Sequence, residues 1–113
     1  KEPAFRRVVL LHLVSMVRSL TRRIVEFSTL SVASRLHAEL LRMGLEQSVS
    51  QGRAFIRHPP THTDLANRIS TTREAVTREL GKLRKNSVMQ LEGTSWWLSI
   101  DQLYAMVRDA AGD

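Results

Sequence analysis

The sequence contains no cysteine, and this absence excludes several kinds of site. A disulfide framework, a thiolate zinc site and a cysteine nucleophile all need a thiol that none of the 113 residues supplies. Composition is otherwise ordinary, with 42% hydrophobic and 25% charged residues, which argues against disorder and low-complexity sequence. Because 113 residues is the length of one typical domain, we expect a single folded domain.

The sequence also has no hydrophobic run long enough to cross a bilayer. Its most apolar stretch, Val8 to Val17, has ten residues, whereas a transmembrane helix needs about 20. Arg18, Arg22 and Arg23 end that stretch, and no small-residue cleavage site of a secretory signal follows it. We therefore expect no membrane partner and a cytoplasmic location, which a chain without disulfides also suits.

Signatures of catalysis are missing as well. The sequence has no glycine-rich phosphate loop, no nucleophile elbow and no carboxylate pair beside a plausible base. His58 and His62 have the spacing of a helical zinc pair, but Pro59 and Pro60 lie between them and prevent a common helical face. We predict that the chain is not an enzyme and holds no metal.

Basic residues are in excess. The formal net charge is +6 at pH 7, which suggests a polyanionic partner. The excess is uneven, with ten basic and four acidic residues in 1–60, six and four in 61–92, and one and three in 93–113. Most of the excess therefore lies in the first 60 residues, and charge alone is a weak guide to where such a partner binds.

A long first helix is predicted by the N-terminal part of the chain. No proline or glycine lies between Ala4 and Ser28, and apolar residues recur every three or four positions, a near-heptad spacing typical of a helix paired with a partner. The residues predicted to form a dimer interface are Val9, Leu13, Met16, Leu20 and Phe27. The first half of this helix is apolar on more than one face, so it needs more than one neighbour.

The chain begins at Lys1 rather than at a methionine, which predicts a piece of a longer protein. A dimer partner could then cover one apolar face of the first helix, and an upstream domain could cover the other. The length of 113 residues would in that case correspond to a C-terminal half.

Capping residues mark the next helices. Ser31 is placed to N-cap a second helix that ends near Leu45. Residues 46–60 are polar and end in two prolines, so we expect a loop there. Thr61 is placed to N-cap a short helix that ends at about Arg68.

A tight turn and another helix follow. The segment Thr71–Glu74 fits a capping box that opens a helix to about Lys85. Its predicted buried stripe is Val76, Leu80 and Leu83. The stripe has the i, i+4, i+7 spacing of one helical face.

A β-hairpin is predicted after this helix. Two β-like runs, 88–91 and 96–100, flank residues 92–95, which include Gly93. Alternation places the two adjacent tryptophans of the second run on opposite sides of the strand. Asp101 is expected to cap a last helix.

Two short helices joined by a tight turn and followed at once by a hairpin describe a winged helix-turn-helix. The predicted fold class is mainly α with a small β-hairpin wing, preceded by a long dimerisation helix. We place that dimerisation or linker helix at 1–28 and a winged-helix DNA-binding domain at 29–113. The helix-turn-helix falls at about 61–85 and the wing at about 87–100.

Four stretches also carry a resemblance to a known family. They are residues 29–32 (TLSV) with Arg35-Leu36, the segment 61–69, residues 72–78 (TREAVTR) and residues 88–93. On these stretches the chain resembles the C-terminal part of the cyclic-AMP receptor protein and FNR (CRP/FNR) family of transcription regulators. In that family a long helix dimerises the protein, an upstream β-roll binds an effector, and a recognition helix enters the major groove.

The resemblance implies which residues read bases. It assigns that role to Arg73, Glu74 and Arg78, and helical geometry also places Glu74 and Arg78 opposite the buried stripe. Arginine can donate two parallel hydrogen bonds to guanine, and glutamate can accept one from cytosine. A structural alternative stays open, because Glu74 and Arg78 also form a possible i,i+4 pair.

Phosphate contacts are expected from hydroxyls and cations near this helix and the wing. The candidates are Thr61, His62, Thr72, Thr77, Lys82, Lys85, Thr94 and Ser95. Lys82, Arg84 and Lys85 are also compatible with a solvated basic face, but phosphate is their more plausible functional contact. Two positions depart from the family pattern: Ser70 replaces the usual turn glycine, and His62 replaces a more basic residue.

The expected partners follow from the resemblance. They are double-stranded DNA with an inverted-repeat operator, a second copy of the chain as homodimer, and RNA polymerase as a further candidate. We expect no cofactor in this chain, since a cyclic nucleotide or another small effector would bind the upstream domain. Two alternatives remain: a protein-interaction module that uses the winged helix without DNA, and a membrane-surface role for the basic apolar helix.

Overall fold

The computed structural model describes the backbone of residues 3–26 and 31–111, and the side chains of residues 6–18 and 31–111. Within these ranges the helices are α1 (Pro3–Glu26), α2 (Val32–Leu45), α3 (His62–Arg68), α4 (Arg73–Lys85) and α5 (Ile100–Ala110). The strands are β1 (Val49–Ser50), β2 (Arg53–Ile56), β3 (Met89–Glu92) and β4 (Ser95–Ser99). The predicted fold class, mainly helical with a small β wing after a long helix, is confirmed.

The predicted first helix is present as α1. Val14 and Val17 are buried on the side that packs against α2, and Leu10 and Leu13 are half-buried beside them. Apolar residues that lie elsewhere around the helix remain exposed in the single chain. They are Val8, Val9, Leu11 and Met16. The predicted end of the helix at Phe27 and Ser28 lies outside the described residues.

Helix α2 begins and ends as predicted. Its N-cap is Ser31, whose Oγ accepts a hydrogen bond from the Ser34 N–H at 3.1 Å. Leu36, Leu40 and Leu41 have no exposed surface, because α2 contacts α1, α4, α5 and β2. This helix is the centre of the hydrophobic core.

The expectation of a loop over residues 46–60 is wrong. Strands β1 and β2 occupy part of it, and the sheet order is β1-β2-β4-β3. Gln51 and Gly52 have φ angles of 54° and 74°, so they form a two-residue hairpin turn. β2 pairs with β4, with Ala54 opposite Leu98. The wing is thus the edge of a four-stranded antiparallel sheet rather than an isolated hairpin.

The helix-turn-helix forms with one shift in capping. Thr61 N-caps α3 as predicted, its Oγ1 accepting from the Asp64 N–H at 3.0 Å. The N-cap of α4 is Thr72, whose Oγ1 accepts from the Ala75 N–H at 3.2 Å, so the capping box predicted at Thr71–Glu74 is wrong. The N–H of Thr71 donates to the carbonyl of Ala66, and this bond keeps Thr71 in the turn.

The wing and the last helix also differ in detail from the prediction. Glu92 pairs with Ser95, so the hairpin turn has only two residues, and Gly93 takes its left-handed position with φ 63°. The N-cap of α5 is Ser99, whose Oγ accepts from the Gln102 N–H. Asp101 is therefore inside the first turn, where an acidic side chain favours the helix dipole, and is not the cap.

Two helical glycines should respond oppositely to alanine. A Cβ on Gly44 would lie 2.5 Å from Ile100 Cδ1 in the buried contact between α2 and α5, whereas a Cβ on Gly81 would meet no described atom within 4 Å. We expect Gly44→Ala to lower the free energy of unfolding by about 1 kcal/mol, because crowding outweighs helix propensity. Gly81→Ala should raise it by roughly 0.5–1 kcal/mol. Urea unfolding of both variants checks this, and equal signs would contradict it.

Candidate nucleic-acid interface

Helix α4 has one buried face and one exposed face. Val76, Leu80 and Leu83 are buried, as the i, i+4, i+7 stripe predicts. On the other side the side chains are in solvent. The exposed residues of α4 include Arg73, Glu74, Arg78, Lys82 and Lys85. The structure therefore brings the three predicted base-reading residues to one accessible surface at the N-terminal half of α4.

These three side chains are held by no internal contact. Within the described part of the chain, Arg73, Glu74 and Arg78 make no side-chain hydrogen bond or ion pair. The i,i+4 pair between Glu74 and Arg78, the structural alternative for these residues, is not formed. Lys82 instead pairs with Glu79, with Nζ 3.3 Å from Oε2. The surface nearest the start of α4 is consequently polar and available to a partner.

The predicted phosphate-contact residues have different local roles. Thr61 and Thr72 cap the first turns of α3 and α4 through their side-chain oxygens, which leaves each hydroxyl hydrogen able to donate outward. Ser95 Oγ donates to the carbonyl of Arg57 at 2.9 Å. Its hydrogen is used inside the protein, so Ser95 is the least suited of the set to donate to a phosphate.

A cleft between α4 and the wing brings three of the remaining candidates together. His62 Nδ1 lies 2.7 Å from Thr77 Oγ1, and this bond joins the start of α3 to α4. Both line a cleft of about 250 Å³, with Thr94 on the wing side. The other lining residues are Leu80, Gly81, Arg84, Met89, Leu91, Gly93 and Trp96.

Sequence reasoning missed Gly81 and Leu91 as parts of this surface. A glycine inside a helix and a leucine in a strand are locally unremarkable, and only the packing of β3 beside α4 places them in one cleft. No local sequence signal marks either residue. In the structure Leu91 is 47% exposed, although Trp96, which lies opposite it on β4, is buried.

The turn of the helix-turn-helix is held by a side chain from α2. Arg35 Nε donates to the Ile69 carbonyl at 2.9 Å, and Arg35 Nη2 lies 3.4 Å from the Ser70 carbonyl. Ile69 is the C-cap of α3, where a cation is favoured by the helix dipole. Ser70 adopts φ 58°, so it takes the left-handed position although it is not glycine.

A buried carboxylate makes a second link between α2 and the helix-turn-helix. Glu39 is only 8% exposed, and its Oε2 accepts from Arg42 Nη2 at 2.6 Å and from Arg68 Nη1 at 3.0 Å. Burying a charge is costly unless it is paired in this way. The last residue of α3 is thereby tied to the central helix, a contact that local sequence patterns do not show.

A histidine of α2 is affected by the charge of a carboxylate on α4. Burial lowers the pKa of His37 below its ordinary value of 6.5, and the negative charge of Glu79 on α4 offsets part of that effect. His37 is therefore more readily neutral in the folded chain than in the unfolded chain.

The helix-turn-helix segment matches a known protein family. Residues 34–106 fit the family described as the Crp-like helix-turn-helix domain. The chain belongs to this family. The CRP/FNR resemblance deduced from the sequence is confirmed, and with it a DNA-binding helix-turn-helix domain of transcription regulation. Family and fold are those of transcription regulators rather than of an enzyme class.

A solved structure shares the fold of this Crp-like chain. It is a transcriptional regulator of the CRP/FNR family from Thermus thermophilus, similar with a TM-score of 0.62 and 22% identity over 96% of this chain and 56% of that chain. The chain thus spans little more than half the length of that regulator. A search of curated proteins gave no significant match. Across residues 3–26 and 31–111, no helix is long and apolar enough to cross a membrane.

The lowered pKa of His37 predicts acid sensitivity. Between the folded pKa and about 6.5, the unfolded chain binds a proton that the folded chain does not. The contribution of neutral His37 to the free energy of unfolding is therefore fully present above about pH 6.5, and it decreases as the pH falls below that value. Urea unfolding at about pH 7.5 and pH 5.5 should show a smaller acid-induced loss for His37→Gln than for the wild type. Identical losses in the two proteins would contradict the assignment.

Proposed function

We propose that this chain binds double-stranded DNA in a sequence-specific manner as a cytoplasmic transcription regulator, with α4 in the major groove. One observation carries the proposal: the exposed face of α4 presents Arg73, Glu74 and Arg78 without any internal side-chain partner in the described structure. Apart from the favourable place of Glu74 in the first turn of α4, these three side chains add no hydrogen bond or ion pair to the described fold. This arrangement suits a helix whose partners are the edges of bases.

The base-reading roles follow from donor and acceptor chemistry. Arg73 and Arg78 each present a planar fork that matches O6 and N7 of guanine, and Glu74 can accept from N4 of cytosine. Arg73 and Glu74 are the first two residues of α4, the end that approaches the bases most closely in this kind of domain. We assign sequence choice to these three side chains.

Phosphate contacts would supply position and most of the affinity. Support comes from the Thr61 and Thr72 hydroxyls at two helix N-termini, where N–H groups and the helix dipole favour an anion. The other side chains proposed to contact phosphate are His62, Thr77 and Thr94 in the cleft and the exposed Lys82 and Lys85. Ser95 is the weakest candidate for a phosphate contact, because its hydroxyl already donates to the carbonyl of Arg57.

We further propose a homodimer formed along α1. Val9 and Met16 are 40% and 37% exposed and Leu13 is half-buried, which leaves apolar surface for a partner helix. The side chains of Leu20 and Phe27 lie outside the described residues. A dimer would set two α4 helices about 34 Å apart, one turn of DNA, so the operator should be an inverted repeat.

Other partners would act through the longer protein. The chain matches 56% of the similar solved regulator. A protein of that regulator's length would include a further domain, which we propose binds a cyclic nucleotide or another small effector. Contact with RNA polymerase is part of the same proposal. No catalytic step is assigned to any residue of this chain.

The decisive experiment is selection of bound sequences from a random duplex pool. We expect a two-fold symmetric consensus, which would support DNA binding, dimerisation and the inverted repeat together. An asymmetric consensus would overturn the dimer. If no duplex binds even at low salt, where phosphate contacts are strongest, the domain is an interaction module for another protein.

One arginine variant and one lysine variant should separate base reading from phosphate binding. Arg78→Ala should lower the preference for the selected site over random duplex by about 1–3 kcal/mol, the discrimination of one bidentate contact. Lys82→Ala, one helical turn away, should weaken both duplexes alike. Fluorescence anisotropy on both duplexes measures the two effects. Equal loss of specificity in the two variants would count against base reading by Arg78.

A further inference from the structure

Charged side chains of alternating sign form a continuous row of ion pairs that runs from α1 to α3. In order, the members of this ion-pair chain are Arg18, Glu46, Arg42, Glu39 and Arg68. Arg18 belongs to α1, the next three residues belong to α2 and its C-cap, and Arg68 is the last residue of α3. The ion-pair chain therefore connects the helix proposed for dimerisation with the helix-turn-helix.

Arg42 is the central member of the ion-pair chain. Its Nη1 donates to Glu46 Oε2 at 2.9 Å, and its Nη2 donates to Glu39 Oε2 at 2.6 Å. The hydrogen bond with Glu39 is the main cause that raises the pKa of Arg42 above its ordinary value. One guanidinium thus holds both carboxylates of α2.

Each of these two carboxylates also holds a second arginine through the same oxygen. Glu46 Oε2 lies 3.5 Å from Arg18 Nη2. Glu39 Oε2 accepts from Arg68 Nη1 at 3.0 Å. A displacement of either carboxylate therefore changes contacts on both of its sides.

The apolar contact between α1 and α2 leaves small relative shifts of the two helices possible. Val14 and Val17 are buried on the side of α1 that packs against α2, but hydrophobic burial is non-directional. Charge-assisted hydrogen bonds and ion pairs depend on geometry. Arg18 comes directly after Val17 and binds the C-terminal end of α2 through Glu46, so it favours one position of α1.

At the other end, the ion-pair chain reaches the turn before α4. Helix α3 packs mainly against α4, and Arg68 ties it directly to α2 through Glu39. Glu39 is only 8% exposed, and a buried charge that loses a partner is costly. Arg68 is therefore expected to follow Glu39, and residues 69–72 connect Arg68 to the first residue of α4.

We propose that Glu39, Arg42 and Arg68 are positioning residues for DNA reading, and that Arg18 makes their arrangement depend on the position of α1. These side chains act by orienting the turn from which α4 begins, and none of them needs to touch a base. The inference rests on the proposed function. It adds a physical connection through which a change at the dimerisation helix alters the affinity of α4 for DNA.

The first test removes the α1 end of the ion-pair chain. Arg18→Gln should lower the affinity for the selected duplex by about two- to fivefold more than a control variant, the range of one exposed ion pair. The matched control is Arg7→Gln. Arg7 is exposed on α1, about three turns before Arg18 on the same face, and makes no ion pair within the described ranges. Fluorescence anisotropy at fixed salt measures both affinities, and equal losses would overturn the inference.

A double-mutant cycle tests whether Arg18 acts through its neighbour. Glu46→Gln removes the next member of the ion-pair chain, so Arg18→Gln should have no further effect on duplex affinity in that background. Independent sites would instead give additive losses. Additive losses would show that Arg18 affects DNA binding by another means, and they would overturn the inference.

Hydrogen exchange gives a readout that does not need DNA. The Thr71 N–H donates to the carbonyl of Ala66 at 2.9 Å, and its exchange reports opening of the turn. Arg18→Gln should speed exchange at Thr71 by about two- to fivefold, whereas Arg7→Gln should not. The amide of Val107, inside α5, should keep its rate in both variants. Equal acceleration at Thr71 and Val107 would indicate general destabilisation and would overturn the inference.

The outcomes separate this inference from the proposed function. If the wild type binds no duplex at low salt, the proposed function fails, and the exchange rate of Thr71 alone decides whether the ion-pair chain positions the turn. If the wild type binds duplex, and the Arg18 and Arg7 variants match in affinity and exchange, the ion-pair chain has no positioning role. The proposed function then stands.

Discussion

The pairing of Glu39 with Arg68 and Arg42 is the interaction on which the placement of the helix-turn-helix depends. Glu39 is a nearly buried carboxylate on α2, and removing its partners would leave a charge without water, which is far more costly than any exposed ion pair. Arg35, one turn earlier, holds the Ile69 carbonyl. Two polar interactions from α2 thus hold the end of α3 and the turn that precedes α4.

The helix that supplies these links is also the main apolar support. Leu36, Leu40 and Leu41 of α2 are fully buried, while α1, α5 and β2 pack around the same helix. Helix α4 also contacts α2, so the element proposed for dimerisation and the element proposed for reading DNA share one neighbour. Their relative orientation is set by side-chain packing, since an interior of native density allows few alternative arrangements.

Helix α4 has its buried, stabilising residues on one side and the residues proposed to read DNA on another. The buried stripe of Val76, Leu80 and Leu83 contributes to the core, and loss of any of these side chains would destabilise the domain. The exposed side carries charges without internal partners and, at Gly81, a position without a side chain. Arg73 and Arg78, which have no partner within the described structure, and Gly81, which is less favourable in a helix than alanine, all lie on this outer side.

Local sequence patterns predicted the helices correctly, but they predicted the wrong N-cap residue for two of them. The caps at Ser31 and Thr61 and the stripe of α4 follow from interactions within a few residues, so they were right. The cap of α4 shifted by one residue because the Thr71 N–H bonds back to Ala66. Ser99 rather than Asp101 caps α5, because Ile100 is already the first residue of that helix.

By itself the sequence determined the order of the helices and of the wing hairpin, the amphipathic faces and the family, because those depend on periodicity, caps and short motifs. Only the tertiary structure decided that residues 49–56 join the wing in one sheet and that Glu39 meets Arg68. It also decided that Gly81 faces Leu91 across a cleft. The reason is sequence separation: β2 and β4, α2 and α3, and α4 and β3 become neighbours through burial and pairing, which no local pattern encodes.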